Sequence, residues 1–224
     1  DKVVVTPVTE AYEFKTSTKV PRLGALIVGL AGNNGSTLYA SLVANREHIA
    51  WRTKSGVQEP NYYGSLTQAS TVRIGSTPKG EDCWVPLKSL LPMVEPDNLI
   101  VHGWDINDKN LAEAMERAQV LDYDLQRQLV PFLKDVHPMP SIYDSDFIAA
   151  NQESRANHVI EGTKSEQVQR IREDIRKFKA ENNLDSVVVL WSANTERFSE
   201  IISGVNDTAE NILAAIERNE KEIA

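Results

Sequence analysis

Three segments of the chain are apolar without alternation, and each runs into a polar turn. They are LGALIVGL at 23–30, NLIVHGWDI at 98–106 and DSVVVLWSANTER at 185–197. A short run with no polar face suits a strand covered on both sides, as in a parallel sheet. Segments with helical spacing lie between them. STLYASLVANREHI, 36–49, turns Leu38, Leu42 and Val43, with Ala40 and Ala44, to one side. Residues 107–135 read as a helical stretch that Pro131 should end or kink. Residues 164–182 read as a charged amphipathic helix with Val168, Ile171, Ile175 and Phe178 on one face.

A last helix is expected from Asp207, which serves as N-cap with Glu210 three residues on in a capping-box-like pattern. Ile212, Leu213, Ile216 and Ile223 give it a partial apolar face that needs a partner, and no glycine stop signal follows. The expectation is a portion of a longer protein.

The remaining segments read as connections. Residues 1–22 alternate weakly and predict an extended arm or small edge strands. Residues 51–85 predict a loop with one strand at 70–75, and 137–158 a second polar, Pro-bearing connection. No internal repeat is visible. Apolar strands alternating with helices predict an α/β fold, a doubly wound, Rossmann-like parallel sheet with helices on both faces. The expected division is an N-terminal arm, 1–22, and one α/β domain, 23–224. Ligands of such sheets bind outside the carboxyl ends of the strands.

Composition narrows the functional classes. The 224 residues are 41% hydrophobic and 25% charged, as in ordinary globular chains. With 24 Lys plus Arg against 32 Asp plus Glu, the net charge of −8 argues against a broad nucleic-acid or acidic-membrane surface. The basic residues of 164–179 read as a solvated helix face. No apolar run reaches the ~18–20 residues of a membrane span, and DKVVVTPVTE is neither a signal nor a transit peptide. Cys83 is the lone cysteine, which suits a reducing compartment and a cytoplasmic location. His48, His102, His137 and His158 show no ligand spacing with it, so no metal site is expected, and no nucleophile has a sequence-readable base.

The sharpest local feature is Gly29-Leu30-Ala31-Gly32-Asn33-Asn34-Gly35, with glycines at three-residue intervals between a strand and a helix. Exposed backbone N–H groups and the helix dipole at such a turn favour a phosphate or pyrophosphate. The strict dinucleotide fingerprint would place Gly at 31 and 34, where this chain has Ala31 and Asn34, and no Gly-Lys-Ser/Thr follows to make a P-loop. The same glycines also suit a turn used only for packing. Asp105, ending the second strand, has the chemistry to accept ribose hydroxyls; the plainer alternative is a cap for the next helix, a role open to Asn107 or Asp108. Ser192-Ala193-Asn194-Thr195 ends the third strand with small residues that admit close approach. Arg155 suits a phosphate or adenine contact or a solvated loop position, and Tyr62 and Tyr63 suit base stacking or local packing.

The blocks GLAGNNGST, NYYGSLTQAS, SLLPMV, GWDIND, DFIAANQESRAN, VVVLWSANTERF and GVNDTAEN, in this order, resemble the eukaryotic myo-inositol-1-phosphate synthase family over nearly the whole chain from about Val20. That family's protein is more than twice as long, so the resemblance implies an N-terminal portion. It implies an NAD-dependent isomerase that oxidises glucose 6-phosphate at C5, cyclises the product by enolisation and aldol attack of C6 on C1, and reduces the inosose to inositol phosphate. The cofactor residues it implies are Ala31, Gly32, Asn33 and Asn34 for the family's GGNN turn, Asp105, Ser141 and Ile142, Gln152 and Arg155, and Ser192, Ala193, Asn194 and Thr195. Ala31 departs from the family's Gly, and an added methyl would crowd a pyrophosphate or shift the backbone. No catalytic residue is carried over, because the family's lysines lie in the second half. The resemblance also implies a cytosolic homotetramer. The alternatives are a truncated NAD-binding module that regulates a full-length partner, and a plain NAD dehydrogenase on the same fold.

Overall fold

A computed structural model describes residues 3–146, 150–193 and 198–221. The chain divides into two compact units, Asp1–Val20 with Ser65–Met93, and Pro21–Gly64 with Val94–Ala224.

The larger unit is built on four parallel strands. β1 (Leu23–Val28), β6 (Ile100–Asp105), β7 (Met139–Pro140) and β8 (Ser186–Trp191) lie in the order β7-β6-β1-β8. β1 is central and hydrogen-bonds to β6 on one side and β8 on the other, with Val28 level with Trp104 and Trp191. The strands therefore end together.

Alternation along β1 feeds two cores, one on each face. Ala25 and Ile27 join Val101 under α1 (Asn33–Arg46), α3 (Leu111–Ala118) and α4 (Tyr123–Leu133). Leu26 joins Trp104, Phe178 and Leu184 under α5 (Lys164–Glu181). There the buried indole of Trp104 donates to Asp174 at 3.0 Å, and Arg170 donates to the other carboxylate oxygen at 3.1 Å. The sheet thus carries helices on both faces, as expected. No helix among the described residues is long and apolar enough to cross a membrane.

Several local expectations are corrected. The stretch 107–135 is two helices, broken not at Pro131 but at Gln119, which takes a left-handed conformation (φ 49°). That turn lets Leu111 and Met115 on one helix and Leu125, Leu129 and Leu133 on the next reach the same core. Pro131 sits inside α4 on its exposed side, where water can serve the carbonyl it leaves unpaired.

Helix α1 begins at Asn33, and Leu38 on it is 39% exposed, outside the buried stripe of Ala40, Leu42, Val43 and Ala44. Segment 51–58 is a hairpin of β2 (Trp51–Thr53) and β3 (Gly56–Gln58) where a loop was expected. Tyr62 donates to Asp97 at 2.6 Å and packs against the core under α1, while Tyr63 is exposed. Helix α6 (Ala209–Glu217) is capped by Thr208, whose hydroxyl accepts from the Asn211 N–H at 3.1 Å. Asp207 instead accepts from the Asn211 side chain at 2.7 Å. Ile223, assigned to this helix's apolar face, lies outside the described residues.

In the smaller unit, α2 (Leu66–Ala69) precedes a bulged hairpin of β4 (Thr71–Ser76) and β5 (Asp82–Pro86). The single strand expected at 70–75 is therefore half of a pair. Residues 3–20 form no helix or strand.

Candidate functional site

The carboxyl ends of the four parallel strands open into one cleft of about 460 Å³. Its construction starts at the glycine turn. The N–H groups of Gly29 and Leu30 both donate to the Trp104 carbonyl, at 2.9 and 3.0 Å, which ties the turn to the end of β6. Gly29 has φ +87°, and a Cβ there would lie 3.1–3.2 Å from the backbone of Ser192 and Ala193. Only glycine lets the β1 and β8 ends approach this closely. A Cβ on Gly35 would lie 2.4 Å from the Leu30 carbonyl oxygen, so the third glycine is what seats α1 on the turn.

Gly32 is the N-cap of α1 and offers no side-chain acceptor, and the first turn carries no acidic residue. The N–H groups of Asn33 and Asn34 therefore open the helix with no acceptor among the described residues, and both residues line the cleft. Such amides, with the helix dipole behind them, attract an anion.

Asp105 ends β6 and is 5% exposed. Its carboxylate accepts from the Ala31 N–H at 2.9 Å through one oxygen and from the Asn107 N–H at 3.1 Å through the other. Neither expectation for it, ribose acceptor or helix cap, anticipates this role as a staple of the glycine turn. The next helix, α3, is capped by Asn110. Burial pushes the Asp105 carboxyl above the ordinary aspartate range; the two backbone N–H groups and the charges of Arg155 and Arg117 act against that rise.

Arg155 is held in place by its neighbourhood. Asn107, 7% exposed, donates to the Arg155 carbonyl at 2.9 Å, and Asn157 accepts from the Asp108 N–H and donates to the Asp108 carboxylate. The His158 N–H donates to Ile106, and the His158 carbonyl accepts from the Ser141 N–H. This fastens the segment after Arg155 beside the end of β6. The guanidinium itself donates to Gln152 at 2.5 Å.

The cleft thus brings together most of the residues singled out in the sequence: Gly32, Asn33, Asn34, Asp105, Ser141, Ile142, Gln152, Arg155, Ser192 and Ala193. Asn194 and Thr195 lie outside the described residues. Ala31 is in the turn but does not line the cleft. Its methyl is buried at 1% exposure in the core under α1, so it crowds nothing at the site. Sequence reasoning missed Arg117, Tyr143 and Trp191, which also line the cleft. Trp191 could have been inferred, since it precedes Ser192 at the strand end. Arg117 carried no local signal, because it reaches the cleft from α3.

An anionic dinucleotide fits this lining. Among the described residues it offers uncapped helix amides, two guanidinium groups against the single carboxylate of Asp105, and a glycine bend without side-chain bulk.

Comparison with known proteins agrees with this geometry. Residues 23–224 match the family model of myo-inositol-1-phosphate synthase, which describes that family's NAD-binding domain. Inositol-3-phosphate synthase of Dictyostelium discoideum is 58% identical over 223 residues, covering 100% of this chain and 44% of the relative. Inositol-3-phosphate synthase 1 of Populus euphratica is 60% identical over 220 residues, covering 98% and 43% respectively. The crystal structure of inositol-3-phosphate synthase from Caenorhabditis elegans superposes with a TM-score of 0.90 at 48% identity, covering 93% of this chain and 41% of that one. The chain spans less than half the length of the curated relatives it matches. It belongs to the myo-inositol-1-phosphate synthase family.

Proposed function

We propose that this chain is the NAD-binding portion of an isomerase that converts D-glucose 6-phosphate into 1D-myo-inositol 3-phosphate, and that the strand-end cleft holds the dinucleotide. The observation that carries this reading is the convergence on one cleft of the glycine turn, the uncapped start of α1, Asp105 and Arg155. Bound NAD supplies a hydride acceptor and, once reduced, a hydride donor.

The residues of this chain bind and orient the cofactor. The Asn33 and Asn34 amides and Arg155 face its phosphates, and Ser141, Ile142, Gln152, Ser192 and Ala193 form the walls that fix its placement. Asn194 and Thr195 belong to the same proposed set by their motif. Holding one cofactor through successive oxidation and reduction needs several anchoring points, which suits a site assembled from four strand ends. The division into an arm, 1–22, and a cofactor domain, 23–224, is part of the reading. So are glucose 6-phosphate as substrate, a homotetramer built largely by the rest of the protein, and a cytoplasmic location.

Calorimetric titration of NAD⁺ into this chain, with glucose 6-phosphate turnover assayed on the same sample, tests the proposal. The expected result is binding without turnover. A chain that binds no NAD⁺ would overturn the assignment of the cleft.

A further inference from the structure

The peptide between Ala31 and Gly32 is pinned at both ends. Its carbonyl oxygen accepts from Arg117 Nη2 at 2.7 Å, and its N–H donates to the Gly29 carbonyl at 3.0 Å. The preceding peptide is held through the Ala31 N–H, which Asp105 accepts at 2.9 Å. Arg117 is thus the side chain that holds the Ala31 carbonyl, while the next carbonyl of the turn, that of Gly32, accepts from the Ser36 hydroxyl at 2.7 Å. The same guanidinium nitrogen lies 3.5 Å from Asn33 Oδ1, on the first residue of α1.

This arrangement has an electrostatic consequence. A peptide can rotate as a unit with little displacement of its Cα neighbours, and such a flip would turn the Ala31 carbonyl away from Arg117. Free carbonyls at the turn would repel an anion that the Asn33 and Asn34 amides attract. The hydrogen bond from Arg117 opposes the flip and neutralises the carbonyl's partial charge. Arg117 does this from the exposed side of α3, so the core does not depend on it.

We infer that Arg117 is a positioning residue for dinucleotide phosphates, acting through the Ala31–Gly32 peptide to keep the start of α1 open to an anion. This rests on the reading of the cleft as an NAD site.

The test compares NAD⁺ affinity, by calorimetry, and thermal midpoint for the wild-type chain, Arg117→Met and Arg117→Lys. Met keeps the aliphatic stem and removes the donor; Lys restores one charged donor. Arg117→Met should bind NAD⁺ at least about tenfold more weakly while its midpoint moves by less than about 3 °C. Arg117→Lys should recover affinity to within about threefold of wild type. Wild-type affinity in the Met variant would overturn the inference, as would a Lys variant as weak as Met. A wild-type chain that binds no NAD⁺ would instead overturn the reading of the cleft, and the inference with it.

Discussion

Strands β1 and β8 lie side by side in register and read almost alike, LGALIV against SVVVLW, yet their surroundings are opposite. Ala25, Leu26 and Ile27 are 3%, 0% and 1% exposed; Val188, Val189 and Leu190 are 44%, 46% and 41% exposed. Both were expected to be buried on two faces. The difference comes from position in the sheet. β1 has a strand on each side and helices above and below, whereas among the described residues β8 is last in the order, and of its residues only Val187 packs against the core under α5. An apolar run without alternation identifies a strand, but it does not say how many neighbours that strand has.

The sharpest test of this contrast removes side-chain volume from each strand. Ile27→Ala should cost about 2–5 kcal/mol by leaving a cavity between β1 and α1, and Val189→Ala less than about 1 kcal/mol. Urea unfolding measures both, and equal costs would break the comparison.

The strand ends should differ in the same direction. Asp105→Ala strips two buried N–H groups of their acceptor and should destabilise by about 1–3 kcal/mol, while lowering NAD⁺ affinity by about tenfold or more. Ser192→Ala, at the end of β8, should change stability by no more than about 0.5 kcal/mol. Denaturation with calorimetry on both variants separates the two. Unchanged NAD⁺ affinity in Asp105→Ala would remove that carboxylate from the site.

Acidity distinguishes two carboxylates by sign. Burial raises the Asp105 pKa, so its contribution to stability is present at low pH and lost as pH rises through that elevated value. Relative to Asp105→Asn, the wild-type thermal midpoint should therefore fall with rising pH. Glu166 is the reverse case: the Thr163 N–H and hydroxyl at the start of α5 lower its pKa. Relative to Glu166→Gln, wild type should hold its advantage above the ordinary glutamate range and lose it as pH falls through the depressed value. Parallel slopes in the two comparisons would contradict these assignments.

The smallest effect on NAD⁺ affinity is expected at Ala31. Ala31→Gly removes a methyl from the core and should cost about 1 kcal/mol, leaving NAD⁺ affinity within about twofold of wild type. A large gain in affinity on this change would mean that the methyl faces the ligand after all.

Much of the site was legible because its parts sit at the ends of readable strands. The glycine spacing marked the turn, and the polar residues after β1, β6 and β8 marked one edge of the sheet. What local reading missed had specific causes. Asp105 was recognised as a polar strand end, but its staple to Ala31 spans 74 residues of sequence. Arg117 lies 86 residues from the carbonyl it holds, on a helix whose pattern speaks only of its buried side. The 51–58 hairpin was missed because its three-residue strands are too short and too exposed to show alternation.

The class of fold, the family and the position of the glycine turn at the strand ends were readable from the sequence, because these follow from short-range patterns: apolar runs, glycine spacing and contiguous motifs. The tertiary structure was needed to show that β8 is last in the order of this sheet among the described residues, that the methyl of Ala31 points into the core, and that Asp105 and Arg117 hold the N–H and carbonyl sides of the turn. Those outcomes depend on which distant segments become neighbours, and hydrogen bonds between such segments leave no periodic trace in the chain.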